Sequence, residues 1–211
     1  MIHYDEKGTR LGFWLFLYTE LFLFAALFLI YAVYRSEYLE DFQAASGRLS
    51  IPVGTANTMV LLLSSLTVVL ALVALRREEI KRSFVFLGIT IACAFTFLIV
   101  KSFEWTAKFQ HGFFLSSNTT IEAGEASPLF TVGEQMLPKG EVLFYSLYFI
   151  MTGIHAIHII IGMILFFIAW KKMSSGVIHS HRVGTLENFG LYWHLVDVVW
   201  IFLFPLFYLV A

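Results

Sequence analysis

Five ionisable side chains, Glu20, His155, His158, His194 and Asp197, lie inside long apolar runs of this 211-residue chain. His155 and His158 are spaced i, i+3, as are His194 and Asp197, so on a helix each pair shares one face. A charged group at a bilayer centre costs roughly 2.5–3.5 kcal/mol on insertion scales, so residues kept there need a return. Three chemistries fit these types and spacings. HxxH, HxxD and a glutamate are ligand types of a di-metal carboxylate site in a helix bundle, but such sites draw on about four carboxylates and only Glu20 and Asp197 lie at depth. A row of intramembrane ionisable groups can relay protons or ions. The third is an interhelical hydrogen-bond network that packs helices and docks a partner or lipid. Lys101 and Glu104, again i, i+3, read as an ion pair at the external membrane face.

The elements that must position these groups follow from composition. The chain is 59% hydrophobic and 18% aromatic with only 14% charged residues, against about 45–50% apolar and 25% charged in soluble domains. The reading is all-α: one transmembrane domain, a bundle of five helices over 11–34, 57–75, 83–103, 143–170 and 189–211, each near the roughly 20 apolar residues that span about 30 Å of hydrocarbon. None shows the alternation of a barrel strand. Asn57 and Thr58 suit the start of the second helix, and Pro205 suits a kink in the last. The N-terminal MIHYDEKGTR carries acids beside its bases and no small-residue cleavage site follows, so the first run is expected to stay as a span.

Nine of the 14 Lys and Arg fall in segments 1–10, 76–82 and 171–188. The opposite side, 35–56 and 104–142, is about twice as long and holds the other five, counting Lys101 at its rim. By the positive-inside rule the N-terminus is cytoplasmic and the C-terminus external. Depth can then be counted. Glu20 is ten residues into its span, about 15 Å at 1.5 Å per residue, and Asp197 about nine into its own. His158 and His155 lie twelve and fifteen residues from the cytoplasmic end of theirs, so the groups are expected to meet in one layer near mid-membrane. Gly153 and Gly162 flank the histidines and allow close helix approach, while Ser64, Ser65 and Thr67 supply small polar groups.

The external loop 104–142 reads either as a surface facing a partner or as a mobile acidic lid. Its Asn118-Thr119-Thr120 fits a sequon without any sign of a secretory setting. Cys93 reads as a small buried hydrophobe. No basic patch interleaved with aromatics points to nucleic acid, so no nucleic-acid partner is expected, and no internal repeat of the kind common in transporters is present.

Five stretches, RLGFWLFLYTELFLF, NTMVLLLSS, KSFEW, TGIHAIHIIIG and ENFGLYWHLVDVVWIFLF, together resemble subunit III of heme-copper terminal oxidases, the cytochrome c oxidase kind, in its five-helix bacterial form. The resemblance follows all five spans in order. It implies a non-catalytic accessory subunit of an oxygen-reducing, proton-pumping enzyme in a bacterial cytoplasmic membrane. No catalytic, cofactor or metal residue is then expected in this chain; heme and copper belong to partner subunits. The implied partners are subunit I, subunit II and a cytochrome c or other electron-donor module, with bound phospholipid. Glu20, His155, His158, His194 and Asp197 map onto the family's buried polar positions, and Glu104 and Glu187 onto positions near the membrane faces. Quinol oxidase subunit III and a nitric oxide reductase-associated relative share this scaffold, and a stand-alone membrane di-metal enzyme or a small transporter are more distant alternatives.

Overall fold

In hydrocarbon every backbone N–H and C=O must find its partner within the protein, and apolar segments of this length do so as helices. The structure, a computed structural model, describes residues 6–110, 131–132, 135–136, 138–178 and 183–209. Its elements are α1 (Glu6–Glu37), α2 (Leu39–Ser46), α3 (Ile51–Arg76), α4 (Ile80–Gln110), α5 (Lys139–Ser174) and α6 (Gly184–Tyr208). Two-residue strands β1 (Thr131–Val132) and β2 (Gln135–Met136) form one antiparallel pair before α5.

Five helices are long and apolar enough to cross a membrane: Leu11–Glu37, Ile51–Arg76, Ile80–Lys108, Lys139–Ser174 and Gly184–Tyr208. The chain is a multi-pass membrane protein. The helices are longer than the apolar runs because polar residues continue them at the rims. α3 begins at Ile51 with Pro52 in its first turn, a position where proline's missing N–H costs nothing. Asn57 and Thr58 therefore cap nothing; Asn57 is buried and donates to the Phe97 carbonyl at 3.4 Å. α4 runs on to Gln110, so the external connection is shorter than 104–142, and the Asn118 sequon lies outside the described residues. The 35–56 connection carries a helix of its own, α2. Cys93 is half-exposed rather than buried, and α6 continues through Pro205 to Tyr208.

α3 and α4 form the most extensively packed pair. Small residues meet across their seam: Thr67 and Ala71 of α3 face Thr90 and Ser83 of α4, all buried. The Thr67 and Thr90 hydroxyls lie 2.8 Å apart, and Ser83 donates to the Ala71 carbonyl at 2.8 Å. The tight turn between the two helices is closed by Glu79 N–H on the Ala74 carbonyl, with Glu78 in the left-handed region at φ 63°. The same closure ends α5, with Gly176 at φ 74°. α6 is central, touching α1, α3 and α5, and α1 lies on the outer flank of α5 and α6. At Gly162 a Cβ would stand 2.6 Å from the Trp193 ring, so the α5–α6 crossing requires glycine there.

The last carbonyls of a helix have no partner within it. In α6 the Leu206 carbonyl accepts from the Tyr31 hydroxyl at 2.6 Å and the Phe207 carbonyl from Ser46 at 2.7 Å. This is why α1 and α2 fold over that end, where Tyr31, Phe42, Phe144 and Phe207 pack edge to face. Tyr31→Phe is expected to cost about 1 kcal/mol, the usual worth of one such bond, read as a lower thermal unfolding midpoint. An unchanged midpoint would show that the carbonyl is satisfied without Tyr31.

Candidate functional site

Glu20 and His158 meet. Glu20 Oε2 lies 2.7 Å from His158 Nε2, joining α1 to α5 at mid-helix. His158 Nδ1 lies 2.8 Å from the Ile154 carbonyl of its own helix, and a carbonyl only accepts, so Nδ1 carries a hydrogen. Nε2 of a neutral ring is then a bare lone pair. Its short contact with a carboxyl oxygen requires one proton between them, on the acid or on the ring. The pair is thus a proton-holding unit in which transfer needs no movement of heavy atoms. Phe24 packs edge-on to the imidazole at 5.4 Å and Tyr192 stacks at 6.3 Å, shielding it from the core side.

The other three groups do not join this pair. His155, on the same helix, enters the core between Phe97 and Trp200, whose ring centroids lie 5.7 and 5.1 Å away. His194 Nδ1 lies 2.7 Å from the Ser65 hydroxyl of α3 at a half-exposed position. Asp197 is buried in the core and faces Ser65, which closes no hydrogen bond of ordinary geometry onto either carboxyl oxygen. The expected single layer is therefore three separate places. Common depth does not bring groups together, because residues three apart on a helix still differ by about 60° in direction at 3.6 residues per turn. Among the described residues no three His, Cys, Asp or Glu are grouped to hold a metal ion.

The expected pair of Lys101 and Glu104 forms. Lys101 is 3% exposed, so the pair is internal to the bundle. Its ammonium donates to Glu104 Oε2 at 3.1 Å, to the Tyr148 hydroxyl at 3.0 Å and to the Tyr208 hydroxyl at 2.8 Å. Both phenols donate in turn to Glu104 Oε1, at 2.9 and 2.5 Å. Four side chains from α4, α5 and α6 thereby close one network, with Trp200 under the ammonium at 5.0 Å. At the same end Arg48 grips buried Glu141 with two bonds of 2.7 and 3.0 Å, and Asp41 accepts from the Gly140 N–H that opens α5. At the opposite end Glu187, in the first turn of α6, pairs with Arg76, the last residue of α3. That pair is largely exposed and contributes under about 1 kcal/mol.

Sequence reasoning passed over Arg48, Glu141, Tyr148 and Tyr208. Tyr208, near the end of the last apolar stretch and so near the same rim as Lys101, was the available signal; Arg48, Glu141 and Tyr148 offered none.

The family profile of cytochrome c oxidase subunit III matches residues 130–211. Over 207 residues the chain is 30% identical to cytochrome c oxidase subunit 3 of Bacillus subtilis, covering 98% of this chain and 88% of that one. The chain belongs to the cytochrome c oxidase subunit III family. It is also 26% identical to the cytochrome bo(3) ubiquinol oxidase subunit 3 of Buchnera aphidicola, over 97% of this chain and 88% of the relative. A heme-copper oxidase subunit I+III of Aeropyrum pernix matches at 26% identity over 98% of this chain and 23% of its own length. Membership in this family places the chain beside a subunit I. Every motif of the five spans, including the Glu20–His158 pair and the Lys101 network, falls within the matched length.

Proposed function

We propose that this chain is the accessory subunit III of a proton-pumping heme-copper terminal oxidase of the cytochrome c oxidase type. It packs against subunit I, holds phospholipid and supports proton uptake. The observation that carries this is the end-to-end match to cytochrome c oxidase subunit 3 of Bacillus subtilis. Heme and copper would reside in subunits I and II, with cytochrome c or a fused donor module delivering electrons. The Glu20–His158 pair supports a proton-buffering role, since it holds one proton at a largely covered position on the flank of the bundle. The apolar outer faces, with Phe22, Leu29, Phe103 and Phe202 exposed, suit lipid and a membrane partner.

Orientation follows from charge. Arg76 and Glu187 meet at one end, so the turn carrying Arg77, Lys81 and Arg82 and the start of α6 share a side. That basic side is the cytoplasmic face of a bacterial inner membrane. The N-terminal end of α1 shares it.

The test is purification through a tag on this chain, followed by subunit identification, a heme spectrum and turnover with reduced cytochrome c and with quinol. Copurified subunits I and II with cytochrome c-dependent oxygen uptake is the expected result. Quinol-dependent uptake alone would reassign the complex to the quinol class, and stoichiometric metal on the isolated chain would overturn the accessory role.

A further inference from the structure

We propose that the core between α3, α4, α5 and α6 holds ordered water at two neighbouring places, at Asp197 and in the Trp200 layer at His155 and Asn57. These side chains are 3%, 1% and 2% exposed. Both Asp197 carboxyl oxygens, both His155 ring nitrogens and Asn57 Oδ1 are buried and meet no hydrogen-bond partner among the described residues. Each such atom left unmet costs about 1–3 kcal/mol. Five of them would consume much of the roughly 5–15 kcal/mol that holds a domain folded. Buried polar atoms therefore have partners, and interiors that lack protein partners use water making about 2–4 bonds.

Two of these side chains share one layer, and the third lies about one turn along α6. The Phe97 and Trp200 rings touch edge to face at 4.7 Å, and both contact His155. The Phe97 carbonyl takes the Asn57 amide, and Trp200 Nε1 donates to the adjacent Thr58 at 2.9 Å. Asn57 and His155 thus lie in the Trp200 layer. Asp197 precedes Trp200 by three residues, so it sits about one turn away on the same buried face of α6.

The donor and acceptor balance selects the ligand. The Asp197 oxygens and Asn57 Oδ1 call for donors, while a neutral His155 ring offers one donor and one acceptor. The structure closes no bond among these groups, and the Lys101 ammonium is committed to Glu104 and two phenols. Water supplies two donors and two acceptors in a small volume. Ser65, beside Asp197 and bonded to half-exposed His194, gives the water at Asp197 a polar route toward the surface of the bundle. The inference does not depend on which oxidase the chain serves.

Pulsed X-ray hydroxyl-radical footprinting of the intact complex tests it, because radicals formed from bound water oxidise side chains that bulk solvent does not reach. Trp193 is the internal control: it is equally buried on α6, its Nε1 donates to Ser64 at 3.0 Å, and its layer is Phe166 and Gly162. Trp200 and His155 are expected to be oxidised several-fold faster than Trp193. Equal, background-level oxidation of Trp200 and Trp193 would overturn the proposal. So would a high-resolution map showing Asp197 bonded directly to protein, with no ordered water within about 3.2 Å of its oxygens or of His155.

Discussion

Lys101→Met is expected to destabilise the protein by about 3–5 kcal/mol, the largest effect of any single substitution considered, because it removes one partner of a buried ion pair. The ammonium makes three hydrogen bonds at the point where α4, α5 and α6 converge. Without it, Glu104 keeps the two phenol donors on Oε1 and loses its counter-ion on Oε2. At 3% exposure for Lys101, solvent does not screen the loss. The double variant Lys101→Met, Glu104→Gln should recover much of the deficit, since replacing both partners removes the uncompensated charge. Thermal unfolding of the four members of this cycle in detergent gives the coupling. Additive effects would mean that the pair acts as two independent residues, and would sink the account of a closed network.

The same cluster shows what sequence could and could not deliver. The i, i+3 spacing of Lys101 and Glu104 made them partners on one helix face, and they are bonded. Whether that face looks out to headgroups or in to the bundle depends on what α5 and α6 present at that height. Tyr148 and Tyr208 decide it, from positions 47 and 107 residues away. The five spans were legible because about 20 apolar residues in a row have few alternatives in a membrane protein. α2 was not: its eight residues, LEDFQAAS, are too few to show a period, and the Phe42, Ala45 and Ser46 face gains meaning only against the carbonyls ending α6. Depth counting set Glu20 level with His158, and there the two meet. It could not tell that His155, three residues earlier, turns away into the Phe97 and Trp200 layer, because direction around a helix depends on which neighbours flank it.

Glu20→Ala should leave His158 Nε2 without its partner and cost about 1–3 kcal/mol, expressed first as weakened association of α1 with α5 and of this chain with subunit I. α1 is the membrane-crossing helix most exposed to its surroundings, and its polar bonds to the rest of the bundle include this one and the Tyr31 bond to Leu206. Oxygen reduction in freshly prepared complex should persist, since no group in this chain is proposed to touch oxygen. The decline should come during turnover, as shorter activity lifetime and loss of the subunit on dilution. Glu20→Gln separates structure from proton holding. Its amide can donate to Nε2 and so keep the helices joined, but an amide carries no exchangeable acid proton to share. Near-native association with a shortened active lifetime in the Gln variant would place the pair's importance in its proton. Native lifetime in the Gln variant with loss only in the Ala variant would make it a helix latch. Immediate and complete loss of oxygen uptake in an Ala complex that retains all subunits and lipid would contradict both roles, because it would require Glu20 to act in the chemistry itself.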